Sequence, residues 1–281
     1  MIKLDPVAYR PLLRAALEED LGRDGDVTSR FFMPPGVRFE GRVVSREAGV
    51  ICGLAVAAAA FKACEPRAKI RPLVADGARV RPGQAVLSVS GGRSLLTAER
   101  TALNFLQRMS GVASLTRLFV DQVRGTRAKI LDTRKTLPGW RALDKYAVVC
   151  GGGFNHRMGL YDAAMVKDNH YFGDNLEAGA RRLRLARPSV PLIIECDSAD
   201  QVTRALTLAP RVILLDNMRG ARLRAMIRRI RGKNPRVLIE VSGNVDLPSI
   251  RALARMGPDR ISIGRLTHSA PALDIGLDLR R

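Results

Sequence analysis

The chain has 281 residues, of which 46% are hydrophobic, and this length suffices for one large α/β domain or two smaller domains with real cores. Its longest nearly apolar run, residues 49–61, is shorter than the ~20 residues that a membrane-spanning helix requires. The first residues carry no apolar stretch before acidic side chains follow, which excludes a secretory leader. We therefore expect a cytoplasmic protein with no membrane partner.

The cysteines are spread along the chain without a CxxC pair, and there are only three histidines. This usage favours neither a disulfide framework nor a zinc site. We expect buried thiols at all four positions: Cys52, Cys64, Cys150 and Cys196.

The formal net charge is +20, from 47 Lys and Arg against 27 Asp and Glu, and a field of this sign attracts anions. Aromatic residues make up only 5% of the chain, and no basic arm, zinc finger or RNA-binding aromatic motif is present. We therefore expect small anionic substrates and no nucleic-acid partner. A basic nucleic-acid binder is the alternative from another class, and its affinity for any duplex would fall steeply with salt.

Residues 1–110 predict an N-terminal α+β module. Its expected elements are, in chain order, a helix over 4–21, a strand over 37–46, a helix over 54–63 and short strands over 70–90. The short strands are broken at Asp76-Gly77 and Pro82-Gly83, which are both turn signals. A helix from Thr97 to about Arg124 would bridge to the next domain, and Gly111 is expected to mark a bend or a break in it.

Residues 125–265 alternate short apolar runs with amphipathic helical stretches. The expected strands are 128–131, 163–166, 191–194, 212–215, 237–239 and 260–263. Continuous apolar strands with helices between them indicate a parallel sheet covered on both faces. An open doubly wound sheet is the competing arrangement, but no GxGxxG follows any of these strands, so a β/α barrel is favoured. Residues 266–281 are expected to form a tail that returns to the N-terminal domain.

The densest basic stretch, residues 219–236, contains no acidic residue. Its apolar residues Leu223, Met226, Ile227 and Ile230 recur at the spacing of one helix face. This pattern predicts an amphipathic helix that buries this stripe and turns its arginines to solvent.

Almost every predicted barrel strand runs directly into polar or glycine residues. In a β/α barrel the carboxyl ends of the strands carry the active site. The charged residues at these ends are Asp132, Lys167, Glu195, Asp216 and Glu240. We therefore expect their charges to face one ligand.

Basic side chains are clustered near the same strand ends, and clustered cations require an anion to compensate their charge. The group comprises Arg134, Lys135, His156, Arg157 and Lys167. Arginine matches carboxylate or phosphate with a planar fork, whereas lysine suits a phosphate oxygen. Ion pairing with Glu195 and Asp216 is the alternative explanation for part of this group.

Two carboxylates and two glycine-bearing turns complete the expected site. Glu195 and Asp216 end successive strands, where they could bind Mg²⁺, accept hydrogen bonds from sugar hydroxyls or act as a general base. The turns Ser242-Gly243-Asn244 and Gly264-Arg265 end the last two strands, where barrels often hold a phosphate. The combination predicts a substrate with both phosphate and ribose character.

Several runs resemble the quinolinate phosphoribosyltransferase family, in order and over essentially the whole chain. They are 19–22 (EDLG), 26–29 (DVTS), 98–104 (AERTALN), 132–136 (DTRKT), 151–160 (GGGFNHRMGL), 166–170 (VKDNH), 215–218 (LDNM) and 263–267 (IGRLT). The resemblance implies an α/β fold with an incomplete β/α (TIM-like) barrel and an N-terminal α+β sandwich domain. It also implies a homodimer with shared active sites, or a higher oligomer built from such dimers.

The reaction that the resemblance implies joins quinolinate to phosphoribosyl pyrophosphate with loss of CO₂, giving nicotinate mononucleotide in NAD biosynthesis. Arg134, His156, Arg157 and Lys167 would surround the quinolinate carboxylates, with Arg100 reaching in from the partner subunit. Lys135 would meet phosphoribosyl pyrophosphate, and Glu195 and Asp216 would meet its ribose hydroxyls or Mg²⁺. The expected contacts of the phosphoribosyl group are Thr133, Ser242, Gly243, Asn244, Ile263 and Gly264. The catalytic set would be Lys135, Lys167, Glu195 and Asp216.

Three residues depart from the pattern that the resemblance leads us to expect. Leu137 and Trp140 replace smaller or different residues, and they would alter packing around the pocket rather than chemistry. Asn244 stands where a second glycine is common, although asparagine tolerates left-handed backbone better than most residues. A molybdenum-transport homologue is a close alternative, and the run from Lys167 to His170 favours the quinolinate branch.

Overall fold

The computed structural model describes residues 4–170 and 175–280, and these residues form two compact units. The first unit draws on Met1–Arg117, Thr136–Gly152 and Arg265–Arg281, and the second on Leu118–Lys135 and Gly153–Gly264. These units differ from the predicted domains at Thr136–Gly152, which the sequence analysis counts with the barrel. This segment belongs to the first unit because its helix packs against the amino-terminal helix there.

The helices and strands are as follows. The helices are α1 (Pro6–Leu21), α2 (Val27–Phe32), α3 (Leu54–Cys64), α4 (Ser94–Gln122), α5 (Arg141–Cys150), α6 (Asn175–Ala186), α7 (Ala199–Thr207), α8 (Gly220–Lys233), α9 (Leu247–Arg255) and α10 (Arg265–His268). A short 3₁₀ turn covers Asp168–His170. The strands are β1 (Arg38–Ser45), β2 (Gly49–Val50), β3 (Lys69–Pro72), β4 (Arg79–Val80), β5 (Ala85–Gly92), β6 (Lys129–Leu131), β7 (Ala164–Val166), β8 (Leu192–Cys196), β9 (Val212–Asp216), β10 (Leu238–Ser242), β11 (Arg260–Ser262) and β12 (Ile275–Arg280).

The first unit is built on an antiparallel sheet in the order β12-β1-β5-β3. Val43 of β1 and Leu87 of β5 are paired and fully buried, and α3 adds the buried Ala57 and Phe61. The whole of β12 pairs with β1, from Glu40 to Ser45, so this last strand completes the sheet. No helix within the described residues is long and apolar enough to cross a membrane.

The second unit is a six-stranded parallel sheet in the order β6-β11-β10-β9-β8-β7. The predicted strands of this half are confirmed, because each apolar run overlaps one of these strands. Strands β6 and β7 form the two edges, and in the described part of the chain they do not pair with each other. A single bridge joins Leu131 to Phe154 beside β6. The predicted incomplete β/α barrel is therefore the fold of this unit.

The basic stretch forms α8, as its periodicity predicts. Leu223, Ile227 and Ile230 are buried, and Met226 packs against the same core. Arg228 and its neighbours on the opposite face are exposed. The arginines of this helix thus form a solvated face, except for Arg231, which is partly buried and pairs with Asp259.

The sequence predicts a bend or a break at Gly111, and the break is wrong because α4 is a single helix through this position. The reason for a glycine there is close backbone approach. A Cβ atom on Gly111 would lie 1.9 Å from the carbonyl oxygen of Pro271, far inside van der Waals contact. The glycine lets the chain ahead of β12 cross the helix surface.

We predict that Gly111→Ala destabilises the protein by about 3 kcal/mol or more, because the clash is with backbone and no side-chain rotation relieves it. Gly179→Ala in α6 is the matched control, since nothing lies within 4 Å of its Cβ position. This change should stabilise the protein by ~0.5 to 1 kcal/mol. Urea unfolding of both variants measures the difference, and equal effects at the two glycines would contradict the prediction.

Candidate active site at the carboxyl edge of the parallel sheet

Strand register places the expected site residues along one edge of the second unit. Asp216 ends β9 directly opposite Ser242, which ends β10. Lys167 follows the last residue of β7, and Glu195 is the next-to-last residue of β8. Since the strands are parallel, their carboxyl ends share this edge.

Alternation along the strands decides which face these residues occupy. One face packs on the helices, because Ile194, Ile213 and Ile239 share a buried cluster with residues of α7 and α8. The other face, here called the inner face, has its own apolar cluster. This cluster contains Ala163, Met165, Ile193, Val212, Leu214 and Leu238. Because successive side chains point to opposite faces, Lys167, Glu195 and Asp216 lie on the inner face beyond this cluster.

Lys167 and Glu195 form an ion pair across neighbouring strands. Nζ of Lys167 lies 2.5 Å from Oε2 of Glu195, and the two side chains are 42% and 15% exposed. Such pairing is the alternative use of Glu195 that the sequence left open. The pair neutralises one cation of the basic group, but it provides no negative charge for Arg134 and Arg157.

Arg134 and Arg157 lie close enough for their charges to interact. Burial, and next the positive charge of Arg134, lower the pKa of Arg157. One guanidinium nitrogen of Arg157 donates to the carbonyl oxygen of Ala163 at 3.1 Å. Nε of Arg134 is buried, and it has no hydrogen-bond partner among the residues that the structure describes. Two adjacent guanidinium groups with a buried donor left over form a site for an anion.

Asp132 has a different role from the one that its strand-end position predicts. Its side chain is fully buried, and Oδ1 accepts the backbone N–H of His156 at 2.8 Å. The backbone of Phe154 adds hydrogen bonds to Ile130 and Asp132. The carboxylate therefore holds the segment that carries His156 and Arg157 against β6 and does not face a ligand.

His156 contacts a second buried carboxylate. Its Nδ1 accepts the N–H of Arg157 at 2.6 Å, and its Nε2 faces Glu240. Nε2 lies 3.2 Å from Oε1 of Glu240, and these side chains are 6% and 0% exposed. Glu240 thus lies against His156 inside the barrel. The sequence predicted Glu240 at the open edge, and this prediction is wrong because its side chain is fully buried.

The first glycine turn has the backbone that a close approach requires. Gly243 has φ +97, and a Cβ there would lie 2.1 Å from Oδ1 of Asn217 and 2.9 Å from its backbone nitrogen. Asn244 has φ 45, so it adopts the left-handed conformation that the usual glycine would. The replacement of glycine by Asn244 therefore preserves the turn.

Asn217 is a site residue that the sequence analysis missed. It has φ 52, its N–H donates to the carbonyl oxygen of Ser242 at 3.1 Å, and Nδ2 donates to Asp216 at 2.7 Å. It thus ties the turn after β9 to the turn after β10. Its position directly after a strand-end aspartate was the signal that could have found it.

The remaining expected residues lie on both units. Lys135 is exposed, and its N–H donates to Oγ1 of Thr133 at 3.0 Å. Ile263 donates its N–H to Leu131 at 2.9 Å, and Gly264 follows it directly before α10 along the chain. Arg100 is an exposed residue of α4 in the first unit. Their use by a ligand stays a prediction.

Trp140 and Leu137, the other two residues that differ from the family pattern, lie in the first unit. Trp140 stacks on Phe105 with ring centroids 4.8 Å apart, and Leu137 is 39% exposed. Trp140 therefore adds to the packing of its unit through a stacked aromatic pair.

Paired guanidinium groups, a Lys–Glu pair and an aspartate along the carboxyl edge of an incomplete barrel define a class, namely a β/α-barrel enzyme for anionic substrates. Residues 26–110 match the N-terminal domain of quinolinate phosphoribosyl transferase, and residues 112–278 match its C-terminal domain. The chain belongs to the quinolinate phosphoribosyltransferase family.

Individual relatives agree over nearly the whole length. The nicotinate-nucleotide pyrophosphorylase (carboxylating) of Mycobacterium leprae is 46% identical over 277 residues, with 97% of each chain covered. The mitochondrial quinolinate phosphoribosyltransferase (decarboxylating) 2b of Nicotiana tabacum is 36% identical, with 96% of this chain and 82% of the relative covered. The solved nicotinate-nucleotide pyrophosphorylase of Francisella tularensis superposes with a TM-score of 0.92 at 34% identity, covering 99% and 98% of the two chains.

We predict that Glu240→Ala destabilises the fold by ~3 to 5 kcal/mol, because it leaves His156 buried without its carboxylate partner. Glu177→Ala is the control, since Glu177 pairs with Arg204 on the surface and its removal should change stability little. Urea unfolding of both variants makes the comparison. A Glu240 variant as stable as the Glu177 variant would show that the buried contact does not hold this part of the barrel.

Proposed function

We propose that this chain transfers the phosphoribosyl group of phosphoribosyl pyrophosphate to quinolinate, with release of pyrophosphate and CO₂, and so makes nicotinate mononucleotide for NAD synthesis. The observation that carries the proposal is the adjacent pair Arg134 and Arg157, with a buried Nε of Arg134 that has no partner among the described residues. Quinolinate carries two neighbouring carboxylates, and two guanidinium groups match such a dianion.

The quinolinate site would consist of Arg134, Arg157, His156 and Lys167. His156 lies against Glu240, and it would face the ring or a carboxylate of the substrate. Lys167 already pairs with Glu195. A carboxylate of the substrate would bind the Lys167 ammonium group beside Glu195 or in its place. Binding of quinolinate would therefore change the position of Glu195.

The phosphoribosyl pyrophosphate site would extend from Lys135 to the glycine turns. Lys135 is exposed, and would meet pyrophosphate oxygens together with Thr133. The backbone N–H groups at Gly243, Asn244 and Gly264 would hold the 5′-phosphate, in the way that barrels commonly bind phosphate after their last strands. Ser242 and Ile263 would line these turns. Asn217 would act indirectly, because it fixes Asp216 and the Ser242 turn together.

Mg²⁺ is the cofactor that we propose for the donor substrate. Glu195 and Asp216 lie on neighbouring strands and offer only carboxylate oxygens, which are the ligands that Mg²⁺ prefers when it also binds substrate phosphates. The residues fit the ion. When bound, Mg²⁺ would neutralise charge on the departing pyrophosphate.

The remaining chemistry rests on side chains of this chain. Displacement of pyrophosphate passes through a state with positive charge on the ribosyl carbon, as in glycoside cleavage, so the carboxylates of Glu195 and Asp216 lower its energy. Lys135 stabilises the negative charge that accumulates on the leaving group. The pyridine nitrogen becomes cationic once it is bonded to the ribose. Its charge then stabilises the electron pair that the departing CO₂ leaves on the neighbouring ring carbon, and that carbon takes up a proton from solvent.

The assembly that we propose is a homodimer in which Arg100 of one subunit enters the site of its partner. Helix α2 supports an interface, because Phe31 and Phe32 are 73% and 81% exposed and exposed aromatic residues are typical of protein contacts. The cytoplasm is the proposed compartment. Its support is that the four cysteines are free thiols, as in reducing compartments.

We predict a preference for quinolinate over nicotinate of about 10⁴-fold in kcat/KM, because nicotinate lacks one carboxylate and leaves buried cations unpaired. A coupled assay with phosphoribosyl pyrophosphate and Mg²⁺ measures both acids. Arg157→Gln should lose most of the activity with quinolinate, whereas Arg228→Gln on the exposed face of α8 should retain it. Equal use of the two acids would refute the assignment.

We predict that Arg100→Ala and Lys135→Ala subunits, each inactive alone, recover activity when mixed. Random exchange in a twofold dimer would create one intact site in half of the dimers, which gives about a quarter of wild-type activity. Lys135→Ala mixed with Arg134→Ala is the control. Each subunit then carries a change in its own barrel, so neither site of the mixed dimer is intact. Failure of the first mixture after proven subunit exchange would show that Arg100 does not act across the dimer.

A further inference from the structure

Two cysteines that are far apart in the sequence meet in the first unit. Cys52 lies in the loop before α3, and Cys150 is the last residue of α5. Their sulfur atoms and a carboxylate oxygen of Asp76 all lie within 4.8 Å of one another.

The prediction of four buried thiols is wrong for Cys150 and for Cys64, which are only partly buried. The absence of a CxxC motif concealed the pair, because the fold and not the sequence brings the cysteines together.

The two thiols have unequal environments. Cys52 is fully buried, and Oγ of Ser110 accepts its N–H at 2.9 Å and donates back to its carbonyl oxygen. Burial raises the pKa of Cys52. Cys150 is partly exposed, and a hydrogen bond from Cys52 lowers the pKa of Cys150 against the opposing effects of burial and Asp76. Cys150 is therefore the accessible nucleophile, and Cys52 lies behind it.

Asp76 is committed to other partners, which argues against a metal ion at this cluster. Its Oδ1 accepts the N–H groups of Gly53 and Leu54 at 3.0 and 3.1 Å, so it caps the start of α3. Its Oδ2 accepts the hydroxyl of Tyr146 at 2.9 Å. The cluster then offers two sulfur ligands, whereas structural zinc sites have four ligands.

We propose that Cys150 and Cys52 are a site of reversible oxidation, at which a small-molecule disulfide converts the two thiols into an intramolecular disulfide bond. The Cys150 thiolate attacks one sulfur of the disulfide, and the first half leaves as a thiol with the proton that Cys150 gave up. Cys52 then attacks the Cys150 sulfur, and the second half leaves as a thiol with the proton from Cys52. The protein loses two electrons and two protons, and the small molecule gains both.

The order of attack follows from access. A redox-active cysteine combines thiolate character and exposure with a neighbouring thiol that resolves the mixed disulfide. The bond would join the loop before α3 to the end of α5, from which the chain continues through Gly151 to Gly153. The proposal does not depend on the proposed enzymatic function, because both cysteines and their contacts lie within the first unit.

The test exposes the full-length protein, without oxygen, to graded ratios of 2-hydroxyethyl disulfide and 2-mercaptoethanol, followed by acid quench and alkylation of the denatured chain. We expect loss of two of the four alkylatable thiols in the intact mass and a linked peptide pair that contains Cys52 and Cys150. The bond should disappear again with excess thiol. Four alkylated thiols at every ratio, or a link between any other pair, would overturn the proposal.

Variants separate the two roles. Cys52→Ser should trap Cys150 as the mixed disulfide, whereas Cys150→Ser should leave Cys52 unmodified. Cys64→Ser and Cys196→Ser are the controls, and both should form the same link as the unaltered chain. Zinc that copurifies in stoichiometric amount with the unaltered chain and is lost in Cys150→Ser would contradict the proposal, because the pair would then be a metal site.

Discussion

The parallel pairing of all six strands of the second unit, β6 through β11, is the constraint on which the rest of the site depends. Parallel strands present all their carboxyl ends at one edge, and the alternation of side chains then decides which strand-end residues face inward. Apolar residues fill both faces below that edge. The polar residues just past the apolar runs are thereby left at one opening, and no single strand has to be long or unusual to achieve this.

Positive charges in the second unit are balanced unevenly by negative ones. Lys167 is paired with Glu195, whereas Arg134 and Arg157 are close enough for their charges to repel. The proposed dianionic substrate would offset this repulsion and supply an acceptor for the buried Nε of Arg134. This is the physical reason for proposing that the two arginines bind quinolinate.

Two buried carboxylates lie beside the segment that carries His156 and Arg157. Asp132 accepts the backbone N–H of His156, and Glu240 lies 3.2 Å from the imidazole ring. Both side chains are fully buried. Glu195 and Asp216 are the more exposed carboxylates, which suits the sugar and metal contacts proposed for them.

The sequence by itself determined the parallel sheet, the buried stripe of α8 and the family, because apolar periodicity and short motifs are local along the chain. It also placed the cations Arg134, Arg157 and Lys167 in one region. Only the tertiary structure decided that Asp132 and Glu240 support the site from below, that Gly111 serves close contact with Pro271, and that Cys52 meets Cys150. Each of these depends on how segments distant in the chain approach one another, and side-chain direction and burial are set by that approach and not by local pattern.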